Sequence, residues 1–399
     1  MNKVQEYFEN FLNKKSLFLN KEVLSIKYIP DQILHRDLEI KQLSEILAPS
    51  LKNEKPSNIF IYGKTGTGKT VITKYVCSQL YEIAKKRNIP ISVVYINCKM
   101  KKITDTEYRL ISQLTKEFGK EVPYTGLPTN EVYKMFFEVI DKKNQVIILI
   151  LDEIDNLIKK CGDEILYNLT RVNSELKNAK ITIVGITNDV TFINELDPRV
   201  RSSLNEEEIV FQPYDALQLK DILLERARLA FEPNVISESV ISKCAAYAAR
   251  EHGDARRAIE LLRVAAEIAE RDGSSMIEEK HVDLADEKIE LDKVIEIVKK
   301  LPKQSQVLLY SIILINKNKG LIYTGEVYDV YKNICSEAKV NELTQRRLSD
   351  LIAELDLLGI IKTRLISKGR YGKMREISLM IGKDTINKIE GIIKEQLGI

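Results

Sequence analysis

Asn58-Ile-Phe-Ile-Tyr62-Gly63-Lys-Thr-Gly-Thr-Gly68-Lys69-Thr70 is the stretch that decides the fold. Its first five residues form an apolar run, the pattern of a short buried strand. Gly63, Lys64, Thr65, Gly66, Thr67, Gly68, Lys69 and Thr70 then match G-x-x-x-x-G-K-[ST], and a helical pattern over Val71–Lys85 follows. Strand, glycine-rich turn and helix are the context in which this spacing holds phosphate. The glycines let the backbone curl so that successive N–H groups face phosphate oxygens, and the helix N-terminus adds positive potential. Lys69 is expected to bridge the β- and γ-phosphates and the Thr70 hydroxyl to ligate Mg²⁺.

Further strands are expected at Ser92–Asn97, Val146–Leu151 and Ile181–Thr187, nearly continuous apolar runs separated by helical segments. Such spacing predicts a parallel sheet covered on both faces. Asp152 and Glu153 follow the Val146 run at once, at the strand end where parallel sheets gather their ligands. Asp152 is expected to hold Mg²⁺ through water, and Glu153 to polarise the attacking water as a general base. Asn188 follows the next strand and is placed to orient that water, although Asn also favours loops. In Gly253-Asp254-Ala255-Arg256-Arg257 a turn opens an amphipathic helix. One of the two arginines is expected to carry positive charge to the γ-phosphate and the other to lie on the surface; Arg256 is the favoured sensor.

The 399 residues imply two or three domains at about 150 residues each. Hydrophobic residues make up 44% and charged residues 30%, a composition that excludes the disordered class. Five dispersed cysteines and three histidines form no zinc-like or disulfide-framework spacing. The N-terminal MNKVQEYFENFLNKK has no signal-peptide core, and no run approaches 18 apolar residues, so a cytoplasmic location without membrane contact is expected. Net charge is only +3, but from Lys300 onward 17 Lys+Arg face 11 Asp+Glu, a net +6 that leaves residues 1–299 at −3. The positive charge is therefore concentrated in the last hundred residues.

Strand-like runs cease after Phe211-Gln-Pro-Tyr214, and three amphipathic helices are expected at about 215–231, 237–251 and 254–271. A second compositional shift comes at about 285–302. The expected domains are thus 1–212, a nucleotide-binding core with its N-terminal region; 213–289, a small helical domain; and 290–399, a third, basic domain. In the last, Thr344 is an N-cap for a helix with apolar Leu348, Leu351, Ile352, Leu355 and Leu358, which leaves Gln345, Arg346 and Arg347 in the first turn to meet a major groove. A strand at Ile360–Ser367 turns through Lys368-Gly-Arg370-Tyr-Gly-Lys373 into a second at Met374–Ile381. Residues 360–375 carry six basic side chains and no acidic one, which suits phosphate or minor-groove contact, with an edge hairpin protected by lysines as the bland alternative.

Gly63–Thr70, Asp152-Glu153, Asn188 and Gly253–Arg256, in this order, resemble the Walker A, Walker B, sensor 1 and sensor 2 elements of AAA+ ATPases. With Tyr28-Ile-Pro-Asp-Gln-Ile-Leu-His-Arg36, Phe211–Tyr214 and the C-terminal module, the chain resembles the archaeal origin-recognition/cell-division-control initiators along nearly its whole length. The resemblance implies an α/β AAA+ core with a helical lid and a winged helix. It further implies ATP or ADP with Mg²⁺ as cofactors and ATP hydrolysis, which is expected to be slow and to serve as a conformational switch if neither Arg199 nor Arg201 acts in trans. The implied partners are double-stranded origin DNA, a paralogous initiator and the replicative helicase, in association with the nucleoid. It places residues near Ile33–Arg36 beside the adenine, Tyr214 and Arg226 beside the nucleotide, and a DNA-contacting helical insertion at about 99–129, with Lys99, Lys101 and Lys102. Asp197-Pro-Arg199-Val-Arg201-Ser-Ser203 lacks the Ser-Arg pair of clamp loaders, leaving Arg199 and Arg201 as candidates to act in trans. The rival readings are another DNA-linked AAA+ ATPase, such as a clamp loader or transposition regulator, and a signalling or defence ATPase.

Overall fold

In the computed structural model the chain divides into two compact units, Met1–Val282 and Asp283–Ile399. The structure describes residues 5–6, 8–9, 16–26, 28–99, 105–123, 125–189, 191–192, 196–204, 206–318, 322–367 and 373–399.

In the first unit a 3-10 turn at Lys21–Leu24 precedes α1 (Asp37–Leu47), then β1 (Asn58–Gly63), α2 (Lys69–Lys86) and β2 (Ile91–Asn97). Two helices, α3 (Glu107–Glu117) and α4 (Thr129–Ile140), precede β3 (Val146–Asp152). After α5 (Ile154–Cys161) and α6 (Glu164–Glu175) come β4 (Lys180–Thr187), α7 (Pro198–Leu204) and β5 (Glu206–Phe211). The five strands form one parallel sheet in the order β2-β3-β4-β1-β5. All seven residues of β3 are buried, which is why its sequence is continuously apolar instead of alternating. One apolar cluster packs α2 against Ile59, Ile61, Ile148 and Ile150; the opposite face packs α3, α4 and α6 against Phe60, Ile147 and Leu149.

β5 was not expected from the sequence. Its Glu206, Glu207 and Glu208 carry no strand signature, yet at a sheet edge they face solvent while Ile209 and Phe211 are buried. Pairing with β1 supplies what local propensity does not.

Three helices complete the unit: α8 (Ala216–Ala230), α9 (Glu238–Arg250) and α10 (Ala255–Asp272). A capping box of Asp215 and Gln218 starts α8, the Asp254 carboxylate starts α10, and Gly273 at φ 74° ends it. The N-terminal segment is stitched to this helical part. Phe18 bridges Phe231, Leu19 N–H donates to Ala230 O at 2.9 Å, and Lys21 pairs with Glu267 at 2.8 Å.

α11 (Glu279–Lys300) runs unbroken through 289 and 290, where the sequence reading sets a domain boundary. Beyond it the second unit contains α12 (Lys303–Asn318), β6 (Ile322–Tyr323), α13 (Thr324–Glu337), α14 (Gln345–Leu357), β7 (Ile361–Ser367), β8 (Lys373–Leu379) and α15 (Lys383–Leu397). The antiparallel sheet β6-β8-β7 shares a core with α12, α13 and α14 that includes Leu309, Ile313, Tyr331, Leu351, Leu355 and Ile377. Among the described residues no helix is long and apolar enough to cross a membrane.

Candidate nucleotide cleft and DNA-facing helix

Gly63, Gly66 and Gly68 take φ of 151°, 73° and 95°, so the turn between β1 and α2 curls through backbone that side chains disfavour. Close approach adds to this need at Gly66, where a Cβ would lie 1.7 Å from Asp254 Oδ1. Ala255 N–H donates to Gly66 O at 3.2 Å, which brings the first turn of α10 against the loop. Lys69 Nζ donates to Gly63 O and Lys64 O, both at 2.7 Å, and to Asn188 Oδ1 at 2.9 Å. Burial and the nearby Arg256 cation push the Lys69 ammonium down to about 8. Lys64 and Thr65 continue the loop, and Thr67 Oγ1 donates to Lys64 O at 2.9 Å.

At the C-terminal ends of β2 and β3 the Asp152 carboxylate accepts three bonds. Thr70 Oγ1 donates to Oδ2 at 2.9 Å, Tyr95 Oη to the same oxygen at 2.7 Å, and Glu153 N–H to Oδ1 at 3.0 Å. Glu153 is a non-glycine residue at φ 55°, an outlier that costs on the order of 1 kcal/mol and starts α5. Its Oε2 lies 3.5 Å from Lys99 Nζ and accepts from Asn156 Nδ2 at 3.3 Å. Asp152, Glu153, Asn188, Lys69, Thr70 and Arg256 all line one cleft. The sequence-selected catalytic and metal candidates thus converge, although 186 positions separate Thr70 from Arg256.

A second, more apolar cleft shares Gly66, Gly68, Thr70, Val71 and Arg256 with the first. Tyr28, Ile33, Leu34, Tyr214, Arg226 and Ile259 also line it, as a base-sized pocket beside a phosphate site requires. The Arg226 guanidinium lies over the Tyr28 ring at 4.5 Å and donates to Val23 O at 3.2 Å. Tyr214 is buried, with Arg36 stacked on its ring at 4.0 Å. Arg36 itself does not line the cleft. It bonds Glu39 at 2.7 Å and touches the cleft wall only where it stacks on Tyr214.

One expectation is corrected. Arg257, assigned to the surface beside Arg256, is buried, and its Nε lies 3.1 Å from Glu251 Oε2. The helical turn that aims Arg256 into the cleft rotates its neighbour into the packing of α10. Arg199 and Arg201 are exposed on α7, where Arg199 pairs with Asp197 at 3.1 Å. Two partners were missed in the sequence, Tyr95 and Asp254. Tyr95 is an ordinary strand residue until the register Tyr95↔Ile150 sets β2 beside β3, and the Asp254 cap gives no sign of its contact with Gly66.

In the second unit Thr344 caps α14 by accepting from Arg347 N–H at 3.4 Å. Gln345, Arg346 and Arg347 are exposed in the first turn, while Leu348, Leu351, Ile352 and Leu355 are buried. Arg375 Nη1 donates to Ser349 O at 3.4 Å and Thr363 Oγ1 to Asp356 Oδ2 at 2.6 Å, tying the sheet to the helix. Lys368 and Arg370, like Lys101 and Lys102, lie outside the described residues; Lys373 begins β8.

Three family descriptions match in chain order. "ATPase family associated with various cellular activities (AAA)" covers residues 59–213, "Cdc6 AAA+ ATPase-type lid domain" 220–287, and "CDC6, C terminal winged helix domain" 296–389. The "ORC1-type DNA replication protein" of Pyrococcus abyssi is 53% identical over 401 residues, covering 99% of this chain and 94% of its own. The "ORC1-type DNA replication protein 1" of Methanosarcina mazei is 52% identical over 386 residues, covering 96% and 92%. The structure of the Aeropyrum pernix ORC1 protein in complex with DNA superposes with a TM-score of 0.82 at 43% identity, covering 96% of this chain and 98% of that one. The loop that curls around Lys69, the acids at the end of β3, the helical lid and the winged helix therefore make this chain a member of the ORC1-type DNA replication proteins, AAA+ ATPases with a Cdc6-type lid and C-terminal winged helix.

Proposed function

We propose that this protein is a replication initiator that binds double-stranded origin DNA through α14 and the basic hairpin, with residues 99–129 touching the DNA backbone. The nucleotide state sets its geometry on DNA, and DNA-bound protein helps recruit the replicative helicase, with a paralogous initiator as a further partner. In this reading it works at the nucleoid in the cytoplasm. Its working parts are 1–212 (core), 213–289 (lid) and 290–399 (DNA-binding module). The observation that carries the reading is the pairing, within one ORC1-type chain, of an ATPase cleft with a capped helix whose first turn exposes Gln345, Arg346 and Arg347.

The cleft residues take their roles from chemistry and position. The N–H groups of Gly63–Thr70 cradle the phosphates, and Lys69 and Arg256 meet the terminal ones with positive charge. Tyr214 and Arg226 wall the base pocket. Thr70 and Asp152 supply only hard oxygen atoms, the donor set that suits Mg²⁺. That ion, when bound, neutralises charge on the transferring phosphoryl group. Glu153 accepts the proton of the attacking water, and Asn188 orients that water. The ion pair of Glu153 with Lys99 and the bond of Asn188 to Lys69 occupy both side chains, which favours slow turnover and a switching use of ATP. Arg346 and Gln345 read base edges, whereas Arg347 and the hairpin cations Lys368, Arg370 and Lys373 contact phosphates.

The test is footprinting on random genomic fragments at about 0.2 M salt, a level that suppresses purely electrostatic binding. Discrete sites protected by the wild type and lost on Arg346→Ala with Arg370→Ala support origin recognition. Salt-sensitive binding without preferred sites transfers the protein to the clamp-loader or transposition-regulator class, and absence of DNA binding to the signalling ATPases.

A further inference from the structure

Among the described residues Tyr95 is the phenol that donates to the Asp152 carboxylate, and the AAA+ motifs do not include it. It lies on β2 in register with Ile150, two residues short of Asp152, so its hydroxyl reaches forward along the sheet to Oδ2. At 2.7 Å this is shorter than the Thr70 bond to the same oxygen, as expected of a phenol donating to an ionised carboxylate. The ring is held from the other side by Lys74, whose Nζ lies 3.7 Å from its centroid. Lys74 follows Thr70 by four residues and therefore shares its face of α2.

We propose that Tyr95 is a positioning residue for Mg²⁺–nucleotide binding, an inference that rests on the reading of Asp152 and Thr70 as the metal residues. Two hydroxyl donors on Oδ2 and one N–H on Oδ1 set the plane of the Asp152 carboxylate before any ion arrives. The Thr70 hydroxyl has a second task toward the ion, whereas the Tyr95 hydroxyl has none and can hold Oδ2 throughout. Without it the carboxylate keeps its charge but loses its fixed plane, so metal-dependent binding weakens while metal-free nucleotide binding does not. Such outer partners of ligating carboxylates are commonly worth about 10–100-fold in metal affinity.

The experiment is a Mg²⁺ titration of fluorescent ATP-analogue binding to the full chain, for wild type, Tyr95→Phe and Asp152→Asn, with binding in EDTA as reference. Tyr95→Phe keeps the ring and the Lys74 stack, so the fold is expected to survive, with an unchanged thermal midpoint as the check. The expected result is a Mg²⁺ half-saturation raised about tenfold in Tyr95→Phe, with binding in EDTA within twofold of wild type. A shift in half-saturation below twofold, or an equal loss with and without Mg²⁺, overturns the proposal. Asp152→Asn separates the two readings: if it too leaves the Mg²⁺ dependence unchanged, the metal assignment has failed; if it alone responds, only the role of Tyr95 has. If Tyr95→Phe lowers the thermal midpoint, Lys74→Met with Tyr95 intact becomes the second variant, and an unchanged half-saturation there overturns the held-ring argument.

Discussion

Glu153 and Gly66 both hold left-handed backbone at this cleft. Glu153 has left-handed backbone, an ion pair with Lys99 and no task in the core, so Glu153→Gln is expected to retain ATP binding and to lose turnover by about 10²–10⁴-fold. Phosphate release measured beside equilibrium binding checks this, and a loss of binding instead would make Glu153 a structural residue. Gly66 is constrained twice, by φ 73° and by the 1.7 Å approach of Asp254 to any added Cβ. Gly66→Ala should therefore displace the start of α10 from the loop and abolish nucleotide-induced protection of residues 254–257 in hydrogen exchange. The glycine signature was legible in the sequence because local backbone demands produce it. Arg257 was misread because helical phase, seen only against the packed lid, decides which of two adjacent arginines faces the cleft.

At the level of elements, α14 was readable nearly to the residue. A Thr cap, an apolar stripe at i, i+3, i+4 and i+7, and Gly359 at φ 71° beyond its end are local signals that tertiary context had no reason to override. Thr344→Ala should remove the bond to Arg347 N–H and cost about 1 kcal/mol. The expected readout is faster amide exchange in the first turn and weaker DNA binding, with ATP binding untouched. β5 is the opposite case, since three glutamates at 206–208 become a strand only because β1 offers an edge. Inside the sheet β1, β3 and β4 needed no such help, because strands buried on both faces read as largely apolar runs.

For the whole molecule, charge and domain order carry the reading. The net +6 after Lys299 predicts that DNA affinity falls steeply with salt. Replacing Lys368, Arg370 and Lys373 with Ala should lower the slope of log affinity against log salt by about 3, one unit per phosphate contact. Titrations at several salt concentrations check it, and an unchanged slope would remove the hairpin from the interface. The order of strand, phosphate loop, acidic strand end, helical segments and basic hairpin followed from local sequence patterns, while the resemblance named the last two parts as lid and winged helix. Interactions between distant segments did not follow from them. The Tyr95 bond to Asp152, the Asp254 approach to Gly66, the stacking of Arg226 on Tyr28 and the strap of Phe18 on Phe231 join positions 57 to 213 residues apart. Local propensity contains no term for such pairs; sheet register, helix phase and the packing of the lid bring them together, and there the three-dimensional fold decided.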